Sequence, residues 1–252
     1  MKTMGAVAHR GWTVTPAEVD MTRPAPPVQR LAVAAEPQDI VVDRAKSALL
    51  VVDMQNDFCT AGGWMDSRGI DISPNRAPIA PLQSLVPACR AAGMPVIWVN
   101  WGVRKDLLNI SPSLLHAHNP TGREVDLGSP VPGTRSEILR HGSWGAEVVA
   151  ELDQADDIRV TKHRFSGFWD TDLDAILRNL GIATLFIGGV NLDQCVMTTL
   201  EDASFLGYDT ILVRDCAATT SPAFCTEATL YNIKLLFGFV TESGALLKGL
   251  AA

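Results

Sequence analysis

From residue 47 onward, short apolar runs alternate with longer stretches in which apolar and polar residues are mixed. The short runs are rich in β-branched residues, and several of them are apolar at nearly every position: SALLVVD, PVIWVN, DIRVTK, TLFIGGV, TILVRD and FGFV. Strands that are apolar throughout, rather than at alternate positions, are typical of a parallel sheet that is buried on both faces. The pattern therefore predicts six strands in one mostly parallel sheet.

The longer stretches between these runs are amphipathic and long enough for helices. They are PIAPLQSLVPACRAAG, WGAEVVAELD, TDLDAILRNLG, DQCVMTTLEDASFLG and PAFCTEATLYNIKLL. Helices that alternate with parallel strands cover both faces of the sheet. The predicted fold class is therefore α/β, a three-layer α/β/α sandwich around a central six-stranded sheet.

Two segments depart from this alternation. Residues 1–46 contain the proline-rich stretch EVDMTRPAPPVQRL and one apolar patch, LAVAA, which predicts an extended N-terminal arm ahead of a single domain at residues 47–252. A disordered tail is the alternative. Residues 101–144 are rich in Pro, Gly, Ser and His and are too long for an ordinary connection, so we interpret them as active-site loops.

Composition and charge narrow the class of protein. The chain has 252 residues, of which 47% are hydrophobic and 19% charged, and this suits one well-filled domain. A net charge of −7 without a Lys/Arg cluster argues against nucleic acid as a partner. The longest apolar runs are far shorter than the roughly 20 residues that span a bilayer, and the N-terminus lacks a signal-peptide core. We therefore expect a cytoplasmic protein without a membrane partner.

Three residues with useful chemistry stand where apolar runs end. Asp53 ends the first run, Lys162 ends the third, and Cys195 follows the fourth at the start of a predicted helix. Ligands of open parallel sheets gather at the carboxyl ends of the strands, so these side chains are expected to meet. The helix N-terminus and Lys162 would favour the Cys195 thiolate, and Asp53 would carry a proton to a leaving amine. Backbone N–H groups of Asn191 and Cys195 would hold an oxyanion.

Each of these residues also has an ordinary structural interpretation. A lone cysteine on a helix is more often a small core residue, an aspartate at a strand end is often a cap, and a lysine there is usually solvated. Only the combination favours catalysis. The other cysteines lack such a setting and are interpreted as structural: Cys59, Cys89, Cys216 and Cys225. An odd number of cysteines without a CxxC pair also argues against a disulfide framework and a structural zinc site.

The sequence gives little support for a metal or a cofactor. His116 and His118 have no third ligand at a suitable spacing and are interpreted as loop residues. The stretch GIATLFIGGV contains glycines but lacks the GxGxxG spacing of a dinucleotide site. We therefore expect neither a metal nor a cofactor.

The stretches VVDMQNDF, KHRFSGF and GGVNLDQCV together resemble the isochorismatase-like cysteine hydrolases, and the resemblance extends over residues 47–248. It implies that residues 47–252 form a hydrolase domain with a catalytic triad of Asp53, Lys162 and Cys195. No counterpart of the Asp and His metal site of the family's nicotinamidases is found.

The same resemblance implies the local geometry and the type of reaction. It places a non-proline cis peptide bond at Val190–Asn191, which would aim the oxyanion donors. Isochorismatases that act on enol ethers lack the nucleophilic cysteine, so Cys195 favours hydrolysis of an amide.

Within the family, the chain resembles ureidoacrylate amidohydrolases of pyrimidine degradation and biuret and triuret hydrolases. The matching stretches are DMQNDFCTAGGWMD, AAGMPVIW, GSWGAEVVAEL, RFSGFWDTDLDAILRNLGI and LYNIKLLFGFVTES. Two positions differ: Leu192 replaces a common threonine, and Phe165 replaces a tyrosine of the ureidoacrylate enzymes.

The residues around these motifs predict an apolar-walled pocket for a small, flat amide. The predicted walls are Phe58, Trp64, Trp101, Phe165 and Trp169, and the predicted polar anchors are Gln55, Asn100 and Arg164.

The predicted function is that of an amidohydrolase of nitrogen metabolism that acts on linear amides. It would cleave a small ureido or carbamoyl compound through a Cys195 thioester and release ammonia or carbamate. We expect a homo-oligomer, either a dimer or a tetramer. The alternatives are another family amidase, acting on maleamate or an N-carbamoyl amino acid, and a non-catalytic binding or thiol-redox protein on the same scaffold.

Overall fold

Residues 1–46 form short strands in the computed structural model, which describes residues 1–152 and 154–252. The first strands, β1 (Lys2–Met4), β2 (Trp12–Val14) and β3 (Val19–Asp20), pair in an antiparallel sheet. The next two, β4 (Arg30–Val33) and β5 (Ile40–Asp43), form an antiparallel pair.

The apolar patch LAVAA explains where this second pair of strands lies. Leu31 and Val33 alternate with exposed residues along β4 and are buried in the hydrophobic core. The backbone of Glu36 pairs with Val240 near the C-terminus, which fixes the pair of strands to the rest of the molecule. The boundary of the arm at residue 46 stays a prediction.

The six apolar runs form the predicted strands. Within the described residues they build one sheet with parallel neighbours, in the order β11-β10-β9-β6-β7-β8. The bounds are β6 (Ser47–Val52), β7 (Val96–Trp101), β8 (Ile158–Lys162), β9 (Thr184–Val190), β10 (Asp209–Ala218) and β11 (Phe239–Thr241). Every residue of β6 and β9 is buried, as expected for strands that are covered on both faces.

Helices flank the sheet and complete the three-layer α/β/α sandwich, which confirms the predicted fold class. Their bounds are α1 (Asn56–Cys59), α2 (Trp64–Ser67), α3 (Ser73–Arg76), α4 (Ile79–Ala91), α5 (Pro112–His118), α6 (Leu173–Leu180), α7 (Met197–Phe205), α8 (Ala223–Asn232) and α9 (Ser243–Leu250). In the described part of the chain, no helix combines the length and the apolar character needed to span a membrane.

One predicted helix and one predicted loop segment are corrected. The stretch WGAEVVAELD, whose last residue lies outside the described residues, forms only a 3-10 turn at Trp144–Ala146, and Val148 then pairs with Gln55 in an antiparallel bridge. Residues 101–144 are not made of loops alone, because they contain α5.

The strand order places a topological switch point at β6. The chain continues to β7 on one side of β6, whereas β9 lies on its other side. In open α/β sheets, ligands bind at the carboxyl ends of the strands next to such a point. The ends of β6, β7, β8 and β9 are therefore the place to look for a site.

Candidate active site

Three side chains meet in a buried cluster at this edge of the sheet. Nζ of Lys162 lies 2.8 Å from Oδ2 of Asp53, and both side chains are fully buried. The Cys195 side chain is next to them and is 4% exposed. The structure thus brings together the three residues that the sequence predicts as a triad.

Local backbone geometry aims each member of the cluster. Asp53 has a φ of 52°, in the left-handed region, so the chain turns sharply as β6 ends. Cys195 lies in a π-helical turn, Leu192–Val196, between β9 and α7. The Val190–Asn191 peptide bond is cis, as the resemblance implies. A side chain at Gly189 would overlap the carbonyl oxygen of Val52, so only glycine allows β9 to approach β6 here.

Trp101, at the end of β7, contacts all three members of the cluster. Its backbone N–H donates to Oδ1 of Asp53 over 3.1 Å, and its indole N–H donates to Sγ of Cys195 over 3.5 Å. Nζ of Lys162 lies 4.2 Å from the centre of the indole ring, a cation–π contact. The sequence analysis predicted Trp101 as a pocket wall only. Its role in orienting the cluster depends on β7 lying between β6 and β8.

Burial dominates the electrostatics of the cluster. It raises the pKa of Asp53 above its usual value, although the Lys162 ammonium opposes the shift. Burial also raises the pKa of the Cys195 thiol to about 12, and Asp53 adds to this whereas Lys162 and the Trp101 indole oppose it. Burial therefore opposes the resting thiolate that the sequence predicts, and the neighbouring positive charge favours it. A raised pKa favours the protonated thiol, whose proton must leave when Cys195 reacts.

The buried ion pair makes a prediction about stability. Lys162→Met leaves the Asp53 carboxylate buried without a cation, and we expect it to lower the free energy of unfolding by about 3–5 kcal/mol near neutral pH. Protonation of Asp53 removes the unpaired charge, so this loss should shrink as the pH falls through the raised pKa of Asp53. Urea denaturation at about pH 8 and about pH 5 measures both effects. The double variant Asp53→Asn with Lys162→Met is the neutral control. Equal stability of wild type and single variant at the higher pH would contradict the prediction.

An aromatic enclosure, formed by Trp64, Trp101, His118 and Phe165, lies beside the cluster. The ring centres of Trp101 and Phe165 are 5.9 Å apart, and His118 lies 6.0 Å from Trp101 and 6.1 Å from Phe165. Trp64 is 5.3 Å from His118, and Phe58 packs edge-on against Trp64. The structure therefore brings four of the five predicted wall residues together. It adds His118, which the sequence analysis interpreted as a loop residue.

The fifth predicted wall residue and one predicted anchor lie elsewhere. Trp169 is 62% exposed, and its indole N–H donates to Asp202. Asn100 precedes Trp101 on β7, so its side chain points to the opposite face of the sheet. Together with Trp101 and His141 it lines a cavity of about 690 Å³.

The other two predicted anchors are engaged by backbone groups. The Gln55 amide accepts from the Trp101 N–H and donates to the carbonyls of Trp101 and Ala146. The Arg164 guanidinium donates to the carbonyl of Asn109 over 2.6 Å. Their roles as substrate anchors stay predictions.

The remaining candidate ligands are dispersed. Among the described residues, no group of three or more His, Cys, Asp and Glu side chains could hold a metal ion. Cys59, Cys89 and Cys216 are fully buried, and burial raises the pKa of each thiol. Cys225 is half-buried.

Comparison with known proteins agrees with this geometry. The isochorismatase domain model matches residues 47–245. The chain belongs to the isochorismatase family. A cysteine hydrolase from Pseudomonas syringae pv. phaseolicola has 27% identity and a TM-score of 0.69, over 83% of this chain and 94% of that one. N-carbamoylsarcosine amidase from Thermoplasma acidophilum has 28% identity and a TM-score of 0.58, over 79% of this chain and 96% of that one.

A third structure extends the likeness within the family. An isochorismatase family protein from Desulfovibrio vulgaris subsp. vulgaris str. Hildenborough has 27% identity and a TM-score of 0.65, over 82% of this chain and 99% of that one. The family match and the cysteine hydrolase neighbours identify this chain as an isochorismatase-family cysteine hydrolase.

Proposed function

We propose that the protein is an amidohydrolase that cleaves a C–N bond of a small ureido or carbamoyl compound through a thioester on Cys195. The buried contact of Asp53, Lys162 and Cys195 carries this proposal. The likeness to an N-carbamoylsarcosine amidase supports it, because an amidase that acts on a carbamoyl compound cleaves a C–N bond of this kind.

In the first step, Sγ of Cys195 attacks the substrate carbonyl while Asp53 accepts the thiol proton. A raised pKa makes Asp53 a stronger base than an ordinary aspartate, and Lys162 stabilises its charged form. The new C–S bond pushes the carbonyl π electrons onto oxygen. The proposed donors to this oxyanion are the backbone N–H groups of Asn191, which precedes the π-helical turn, and of Cys195, which lies within it.

In the second step, the tetrahedral intermediate collapses and the C–N bond breaks. Asp53 returns the proton to the leaving nitrogen, which departs as a neutral amine or ammonia. Water, deprotonated by Asp53, then attacks the thioester carbonyl and releases Cys195 as a thiol. The carbonyl group leaves as an acid, and for a ureido substrate this acid is a carbamate.

The aromatic enclosure supports a flat substrate. Trp64, Trp101 and Phe165 present apolar rings, against which a planar conjugated ureido group packs better than a tetrahedral chain. Sequence likeness to ureidoacrylate amidohydrolases and to biuret and triuret hydrolases points to the same class. Because Phe165 lacks the tyrosine hydroxyl of the ureidoacrylate enzymes, the ureido class as a whole is better supported than ureidoacrylate itself.

A second candidate substrate is an N-carbamoyl amino acid. The likeness to N-carbamoylsarcosine amidase favours it, since that enzyme is named for a substrate of this class. Cys195, Asp53 and Lys162 would have the same roles. The two candidates differ in the group attached to the carbamoyl nitrogen.

A substrate panel tests the proposal. We expect kcat/KM, measured by ammonia release, to be highest for the ureido compounds ureidoacrylate, biuret and triuret, whereas a highest value for N-carbamoylsarcosine would favour the second candidate. Nicotinamide and simple aliphatic amides should be much poorer, because a site that hydrogen-bonds a polar edge discriminates strongly against analogues without it. If a plain amide is the best substrate, the ureido assignment is wrong and the triad still stands. If no amide is hydrolysed, a non-catalytic or thiol-redox role is favoured.

A further inference from the structure

His118 is the polar member of the aromatic enclosure. It is the last residue of α5, and its ring is nearly parallel to Phe165, with an angle of 11° between the planes. It also contacts Trp64 and meets Trp101 edge-on. Three neighbouring rings thus fix the position of this imidazole.

The hydrogen bond of His118 determines which ring nitrogen carries the proton. Nδ1 lies 2.9 Å from the carbonyl oxygen of Leu114, one turn earlier in α5. A carbonyl oxygen only accepts, so Nδ1 must donate. Burial lowers the pKa of His118, and the charges of Arg68 and Lys162 lower it further, which keeps the imidazole neutral. Nε2 is therefore an acceptor.

The position of Nε2 links it to the reacting cluster. Because Nδ1 faces the carbonyl of its own helix, Nε2 lies on the far side of the ring, directed away from α5. It has no hydrogen-bond partner among residues 1–152 and 154–252. The Trp101 ring lies 6.0 Å from the His118 ring, and its N–H reaches Sγ of Cys195. A substrate that is held at Cys195 and extends past the Trp101 ring would meet the His118 ring.

An acceptor among apolar rings discriminates between substrates that differ in one group. A substrate N–H satisfies the lone pair, whereas a CH₂ at the same place leaves it desolvated and unpaired. We propose that Nε2 of His118 accepts a hydrogen bond from the bridging N–H of a ureido substrate, next to the carbonyl that Cys195 attacks, and so selects ureido compounds over plain amides. This inference rests on the proposed function and assigns a specificity-determining residue to it.

Biuret and malonamide form a matched pair for the test, because they differ only in that a CH₂ replaces the bridging N–H. The variant His118→Phe keeps an aromatic ring and removes the acceptor. We expect it to lower the ratio of kcat/KM for biuret to that for malonamide by about 10- to 100-fold, mostly through a higher KM for biuret. The two compounds differ in intrinsic reactivity. This difference is the same for the wild type and the variant, so it cancels when their ratios are compared.

Two further variants serve as controls. His118→Gln supplies an acceptor oxygen and should keep more of the wild-type ratio than His118→Phe. If His118→Phe does not fold, His118→Gln is tested in its place. His116→Phe changes an exposed histidine of the same helix and should leave the ratio unchanged.

The outcomes separate this inference from the proposed function. If the wild type prefers biuret and His118→Phe keeps that preference, or loses activity on both compounds equally, His118 only packs and the inference is overturned alone. If the wild type prefers malonamide, the ureido function fails and the inference fails with it.

Discussion

Replacing Cys195 by serine or alanine should lower kcat by about 10⁴- to 10⁶-fold while the chain stays folded. A serine hydroxyl is a much weaker nucleophile than a thiol, and the alanine variant has no atom to form the acyl intermediate. Serine matches the shape of the small space beneath Trp101, where Cys195 is 4% exposed, so the core should tolerate it. Steady-state kinetics on the best substrate of the panel measure the loss, and circular dichroism confirms the fold.

Cys225→Ser is the matched control for this experiment. Cys225 is a half-buried thiol on α8, outside the cluster, and its loss should leave turnover at the wild-type level. Mass spectrometry of the wild type, quenched during turnover, should show an acyl adduct on Cys195. Turnover by Cys195→Ala near the wild-type rate would exclude the thioester mechanism.

The central strands β6 and β9 could be predicted because their sequences satisfy one requirement at most positions. A strand that is buried on both faces needs apolar residues on both faces, and SALLVVD and TLFIGGV meet that condition at most positions without reference to the rest of the chain. The order of the strands is not encoded so locally. It depends on which crossovers the connecting segments make.

The incorrect helix at WGAEVVAELD shows how tertiary contacts override a local pattern. Its carbonyl groups accept from the segment after β6: Asn56 donates through its side chain to Trp144 and through its backbone to Glu147, and Gln55 donates to Ala146. A carbonyl directed at another segment is not available to the helical N–H four residues later. Nothing in the amphipathic spacing of this stretch reveals those donors.

The same reasoning separates the parts of the site that were predictable from those that were not. Asp53 and Lys162 end apolar runs and Cys195 follows one, so parallel strands alone bring them to one edge. His118 reaches the enclosure only because α5 forms inside residues 101–144 and packs over Trp101. The sequence predicts Gln55 as a substrate anchor because nothing near it in sequence pairs with its amide. Its backbone partners, in Trp101 and Ala146, are distant in sequence.

Asp53→Asn should lower kcat/KM by about 10²- to 10⁴-fold, because the amide cannot accept the thiol proton or return it to the leaving nitrogen. Burial raises the pKa of Asp53. The acid limb of the wild-type pH–rate profile should therefore have an apparent pKa above the usual range of an aspartate. The sign follows from the role: Asp53 must be deprotonated to accept the proton, and activity is lost as the pH drops through its pKa. The residual activity of the variant should lack this limb.

A measurement on the thiol itself distinguishes the base from a structural role. Asp53→Asn leaves the Lys162 ammonium buried without its carboxylate, so some loss of stability is expected, and assays must stay below the unfolding transition of the variant. At that temperature, alkylation of Cys195 by iodoacetamide should be faster in the variant than in the wild type although turnover is lower, because removal of the Asp53 charge lowers the pKa of the thiol and leaves Lys162 to favour the thiolate. Cys225, half-buried and outside the cluster, provides the internal reference and should react equally in both proteins. An unchanged ratio of Cys195 to Cys225 alkylation, together with an acid limb that persists in the variant, would assign the proton transfer to a group other than Asp53.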